Sequence, residues 1–183
     1  CAVAAGRALA DARRATADVT HVLVATCTGD YITPSASCPI ADRIGIKGRF
    51  ALDINAACSG FLYGRETAAG LIAMKPEAKV LLIAAEALSH RTNWADRSTC
   101  VLFGDGGAAM VLSADTAGKK LASLIDIETS SDGSLGPLLN FGGLPDSGPY
   151  AIGDPVGPDF FFQMNGRDAV SYNPLTLPPK RVR

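Results

Sequence analysis

Three short apolar runs limit what this chain can fold into: His21 to Thr26 (HVLVAT), Phe50 to Asn55 (FALDIN) and Lys79 to Ala85 (KVLLIAA). The first and the last are apolar at consecutive positions, the pattern of a strand covered on both faces, and the second, interrupted by Asp53, reads as a strand as well. The segments between them supply the covers. Residues 2–14 (AVAAGRALADARR) predict an amphipathic helix, and Ser35 to Ile44 a second helix ending at Gly45. A third, longer helix opens at Ala57-Cys58-Ser59-Gly60 and runs to about Met74, where Lys75-Pro76-Glu77 stops it. Strands alternating with helices predict an α/β fold with a mostly parallel sheet.

The pattern weakens toward the C-terminus. Gly104-Asp105-Gly106-Gly107 reads as a strand-to-strand turn whose glycines supply positive φ, with a strand over Ala108 to Leu112 and another over Leu121 to Thr129. Eight of the 11 prolines lie at or beyond Pro137, so Ser130 to Asp159 reads as an irregular excursion. Asn165-Gly166-Arg167-Asp168 opens a helix that Asn173-Pro174 and Pro178-Pro179 cut short.

Composition removes whole classes of function. A net charge of -1 offers no basic excess, which argues against nucleic acid as a partner. No apolar run is long enough to span a bilayer and no signal-peptide core opens the chain, so the expectation is a soluble, cytoplasmic protein without membrane association. The five cysteines (Cys1, Cys27, Cys38, Cys58, Cys100) form no C-x-x-C pair and only two histidines are present, giving no support for a metal site. Scattered cysteines of this kind are usually small buried hydrophobes.

Cys58 stands apart from the others. It lies where a strand passes through Ala56, Ala57, Ser59 and Gly60 into a helix, so small neighbours leave the sulfur approachable. A helix N-terminus offers unpaired N–H groups and the positive end of the macrodipole, which favour a thiolate and an oxyanion. The competing reading is a packing residue at a crowded junction. His90, in a loop after a strand, is a conceivable base for it, and His21 reads as structural. Gly104–Gly107 lacks the Lys-Ser/Thr of a phosphate loop. Arg97 could stack on an adenine or grip a phosphate, against a surface ion pair as the plain alternative.

Three blocks resemble one family. Asp53-Ile54-Asn55-Ala56-Ala57-Cys58-Ser59-Gly60-Phe61 is similar to the nucleophile motif of the β-ketoacyl-acyl carrier protein synthase III family. The stretch from Thr92-Asn93-Trp94 through Arg97 to Phe103-Gly104-Asp105-Gly106 resembles it too, as does Gln163-Met164-Asn165-Gly166-Arg167-Asp168. The resemblance, from Ala2 to about Val170, implies a thiolase-like layered αβαβα fold. Residues 1–119 would form most of the N-terminal half, 120–170 the start of the C-terminal half, and 171–183 an aberrant, disordered tail. The implied reaction is the decarboxylating Claisen condensation that starts fatty acid synthesis, in a homodimer and without a cofactor. Cys58 would take an acyl group from acyl-CoA and pass it to the carbanion of malonyl-acyl carrier protein, its own N–H helping to hold the oxyanion. Arg97 would stack on the CoA adenine, Gly166 and Arg167 would contact the CoA arm, and Thr33 would reach the partner subunit's acyl pocket. A threonine there leaves more room than an aromatic residue, implying tolerance of longer or branched primers.

The departures carry equal weight. The family's catalytic His and Asn motifs, its glycine-rich oxyanion segment and its first strand-helix unit find no match in the 183 residues. The resemblance therefore implies a fragment that does not itself condense anything. Two rivals remain: a non-catalytic interaction module that binds acyl carrier protein or a partner subunit, and a cysteine hydrolase using Cys58 and His90.

Overall fold

The computed structural model describes residues 1–142 and 160–171. They fall into two compact units, Cys1–Ala87 with Asp105–Ser130, and Leu88–Gly104 with Ser131–Arg183.

The first unit is built on a four-stranded sheet of β1 (His21–Ala25), β2 (Phe50–Ile54), β3 (Lys79–Ala87) and β4 (Asp105–Ser113), in the order β2-β1-β3-β4. β1 runs parallel to both neighbours, with Ala25 beside Ile54 on one side and Ala84 on the other. β4 returns antiparallel along β3, so an otherwise parallel sheet carries one reversed end strand.

Helices cover both faces of β1 and β3, which is why those two strands read as unbroken apolar runs. Val22, Val24, Leu81 and Ile83 point to one face and pack with Ala5 and Leu9 of α1 (Ala2–Asp11) and Ala41 of α2 (Ser37–Arg43). Leu23, Val80 and Leu82 point to the other, against Ala68 of α3 (Gly60–Met74). The alternation follows from the two-residue period of a strand.

Local chemistry fixes the helix ends. Asp53 of β2 reaches across to the start of α2, its carboxylate accepting from the N–H groups of Ala36 (2.6 Å) and Ser37 (2.8 Å). At the other end Gly45 takes a φ of 80°, while its N–H and that of Ile46 return to the carbonyls of Asp42 and Ala41.

In the second unit a helical turn over Leu88–Arg91 leads into a series of turns. The two-residue strands β5 (Leu139–Asn140) and β6 (Gln163–Met164) pair antiparallel, and α4 (Gly166–Ser171) follows. Phe162 stacks on Phe103 at a centroid separation of 4.2 Å and meets Phe141 edge-on at 4.6 Å. Arg91 lies over the Phe160 ring, 4.1 Å from its centroid.

The structure corrects three expectations. Leu121 to Thr129 is not a strand: no described strand pairs with it, and Ile125 is 95% exposed. Gly104–Gly107 is not a turn on positive φ. β4 begins at Asp105, and Gly106 and Gly107 lie inside it with ordinary φ. A side chain at Gly107 would stand 3.4 Å from Ala85 Cβ, an ordinary contact, so the strand accommodates glycine there without requiring it. Nor are the cysteines core residues: Cys1, Cys38 and Cys58 are exposed, and Cys27 and Cys100 are half-buried. Most of the proposed excursion (residues 143–159) and the tail from residue 172 onward lie outside the described residues. Among the described residues no helix is long and apolar enough to cross a membrane.

Candidate active site

Small residues bring the head of α3 onto the sheet. A side chain at Gly60 would meet Ala25 Cβ at 3.1 Å, and one at Gly64 would meet Leu82 Cδ1 at 2.6 Å. Gly60, Gly64 and Ala68 thus form a bare seam at four-residue spacing, along which the helix lies close to β1 and β3. The chain must turn sharply between the end of β2 at Ile54 and this helix. It does so over Ala57–Ser59, one turn of 3₁₀-helix, with the Ser59 N–H returning to the Ala56 carbonyl at 3.0 Å. Ala57 takes a φ of 45°, in the left-handed region that L side chains rarely adopt. A non-glycine residue held there is strained by roughly 1–3 kcal/mol, a feature that clusters at functional sites. The next residue is Cys58, exposed.

A polar knot forms beside it at the ends of β1 and β3. Glu86, near the end of β3, accepts from the Cys27 backbone N–H (2.9 Å) and from the Thr28 hydroxyl (2.6 Å). It also accepts from the Thr26 hydroxyl (3.3 Å) and the Cys27 thiol (3.4 Å). Thr28 Oγ1 in turn accepts from the Ala87 N–H at 2.8 Å. Burial pushes the Cys27 thiol up to about 12, with the neighbouring Glu86 carboxylate adding to the effect, so Cys27 stays protonated. Cys58 is close enough for its charge to contribute as well. The sequence reading missed Cys27 and Glu86. The signal was available: a glutamate at the end of an otherwise apolar strand, where open α/β sheets present their ligand sites.

Thr33 is exposed, in the loop before α2 of this same unit. Arg97, Gly166, Arg167 and His90 all belong to the second unit. Arg97 is exposed on a turn that Asp96 organises. The Asp96 carboxylate accepts from the Ser98 N–H (2.9 Å), the Ser98 hydroxyl (2.6 Å) and the Thr99 hydroxyl (2.7 Å). Those bonds, Ser98's first, hold its carboxyl below the usual range. Gly166 and Arg167 open α4, where the Asn165 side-chain amide donates to Asp168 at 2.6 Å and the Ala169 N–H returns to the Asn165 carbonyl. Among the described residues no group of three or more His, Cys, Asp or Glu stands ready for a metal ion.

A layered α/β arrangement whose second strand turns through small residues into a helix, with a cysteine exposed at the turn, is that of the thiolase-like fold. The family model for 3-oxoacyl-[acyl-carrier-protein] synthase III matches residues 52–133. A β-ketoacyl-[acyl-carrier-protein] synthase III of Nitratidesulfovibrio vulgaris is 56% identical over 170 residues, 92% of this chain and 51% of the relative. That of Clostridium perfringens strain 13 is 39% identical over 169 residues, again 92% of this chain and 51% of the relative. The crystal structure of the synthase III from Aquifex aeolicus VF5 superposes with a TM-score of 0.76 at 32% identity, covering 91% of this chain and 48% of that one. The chain belongs to the β-ketoacyl-acyl carrier protein synthase III family, and it spans about half the length of the curated relatives it matches.

Proposed function

We propose that Cys58 is the acyl-accepting nucleophile of a β-ketoacyl-acyl carrier protein synthase. The observation that carries the reading is the exposed sulfur on a strained turn at the head of α3, inside the segment that matches the family. In the acylation step the Cys58 sulfur attacks the thioester carbonyl of an acyl-CoA and CoA leaves as its thiol. In the whole protein, malonyl-acyl carrier protein would then lose carbon dioxide, and the resulting carbanion would take the acyl group, freeing the thiol. Arg97 on its turn suits the adenine, Gly166 and Arg167 the CoA arm, and Thr33 the acyl pocket of a partner subunit. These substrates belong to the cytoplasm, and acyl carrier protein is the expected protein partner. β2 supports a homodimer: it is an end strand of the sheet, with Phe50 45% and Leu52 39% exposed, open to a second copy.

The test is acylation itself. The chain is incubated with acetyl-CoA and longer or branched acyl-CoAs, and the adduct is mapped by peptide mass spectrometry. An acyl group on Cys58, absent in Cys58→Ala, is the expected result. The chain-length series reads the role assigned to Thr33. A folded chain whose Cys58 stays unacylated at every acyl-CoA tested overturns the reading and favours a non-catalytic interaction module.

A further inference from the structure

We propose that Cys27 and Cys58 form an oxidation-sensitive pair, in which a hydroperoxide oxidises Cys58 and Cys27 then closes a disulfide with it. The topology brings the two to the same end of the sheet. β1 and β2 are adjacent and parallel, with Ala25 beside Ile54, and the Thr26 N–H extends the ladder to the Ile54 carbonyl at 3.1 Å. The head of α3 folds back onto that point, since a side chain at Gly60 would lie 3.1 Å from Ala25 Cβ. Cys27 follows Ala25 by two residues and Cys58 precedes Gly60 by two, so both chains diverge from one contact. The influence of Cys58 on the ionisation of Cys27 reports the same proximity.

The two thiols differ in their exposure. Cys58 is exposed and meets a dissolved oxidant first, whereas Cys27 is half-buried and kept protonated. In the first step the Cys58 sulfur takes the distal oxygen of the hydroperoxide. The O–O bond breaks, sulfur is oxidised by two electrons to a sulfenic acid, and the alcohol leaves. In the second step the Cys27 sulfur attacks the Cys58 sulfur. The S–S bond forms, the S–O bond breaks, and hydroxide leaves with the thiol proton as water. A protonated thiol is a slow attacker, but Glu86 Oε2 already accepts from Cys27 Sγ at 3.4 Å and is placed to take that proton. The disulfide would shield Cys58 from irreversible over-oxidation while blocking it as a nucleophile. The sulfur chemistry does not require Cys58 to accept an acyl group, so failure of the acylation test leaves it standing.

The reduced chain is treated with hydrogen peroxide, quenched and mapped by peptide mass spectrometry. The expected product has lost two hydrogens, yields a Cys27–Cys58 linked peptide and reverts with dithiothreitol. In Cys27→Ser, and separately in Cys27→Thr, Cys58 should instead carry oxygen. Its capture by a sulfenic-acid reagent should rise about tenfold over the parent chain, because the resolving thiol is gone. Oxygenated Cys58 beside a Cys27 that still alkylates freely in the parent chain would overturn the proposal. So would a disulfide mapped to Cys1, Cys38 or Cys100.

Discussion

The two units hold their candidate residues by different means. In the first, Leu23, Leu81, Leu82 and Ile83 have no accessible surface, and helices close over both faces of the sheet. Cys58 is placed by that packing: the Gly60–Gly64–Ala68 seam fixes α3, and α3 fixes the turn before it. In the second unit the buried set among the described residues is small (Phe162, Thr92 and Thr99), and side chains closing on nearby backbone do most of the shaping. Asp96 gathers Ser98 and Thr99, Asp132 gathers Ser134, and Asn165 pairs with Asp168. Under the proposed function, the sulfur that would meet a carbonyl has the rigid support, and the residues that would grip a long flexible ligand have the looser one.

Truncating one core residue in each unit puts that contrast to the hardest test. Leu82→Ala removes a fully buried side chain packed against Gly64 and should destabilise the first unit by about 2–5 kcal/mol. Phe162→Ala breaks the stack on Phe103 and the edge contact with Phe141. It should release backbone amides of the second unit to hydrogen exchange while those of β1 and β3 stay protected. Equal loss of protection in both units from either variant would show that they are one cooperative body.

A smaller effect comes from His21, the first residue of β1. Its ring is buried, lies tilted against Phe50 at 5.2 Å and shares a 2.7 Å hydrogen bond with the Thr20 hydroxyl through Nδ1. Burial lowers its pKa, nearby Lys75 lowers it further, and Glu77 opposes them. A histidine that resists protonation when folded contributes stability that is full above its unfolded value of 6.5 and lost as the pH falls through the lower folded value. The urea midpoint should therefore drop on acidification from about pH 7.5 to 5.5, and His21→Gln should flatten the dependence. An unchanged slope in that variant would assign the acid sensitivity elsewhere.

What the sequence made legible follows the same division. β1 and β3 were readable because burial on both faces writes itself as unbroken apolar runs, and α3 from the small residues that open it and the Lys75-Pro76-Glu77 stop. That Cys58 would stand approachable at a turn was readable from its small neighbours. The strand at Asp105 was not, because Gly106 and Gly107 carry a turn's composition and a strand's geometry, set by the antiparallel ladder with β3. Leu121 to Thr129 misled in the opposite sense: its apolar residues suit a strand, but the segment pairs with no described strand and lies largely exposed. The Glu86 knot depends on contacts between residues about 60 positions apart, which no local pattern encodes.

The gentlest perturbation separates turn chemistry from packing. Asp96 stands in the turn that carries Arg97 and accepts from three donors, so Asp96→Ala leaves the Ser98 N–H without its partner and frees both hydroxyls. Exchange of the Ser98 amide should speed up about tenfold, the scale of a charge-assisted hydrogen bond, with no change in the first unit. The carboxyl sits below its ordinary 3.8, so the turn is held above that pH and lost only as the pH falls through the still lower folded value. Between about pH 5 and 8 the parent turn should thus be insensitive to pH. If Arg97 grips the adenine of acyl-CoA, the same variant should weaken CoA binding several-fold through a disordered turn, with acylation of Cys58 at saturating acyl-CoA unchanged. A variant that lowered acylation at saturation as well would mean that the turn acts on the sulfur and not merely on ligand capture.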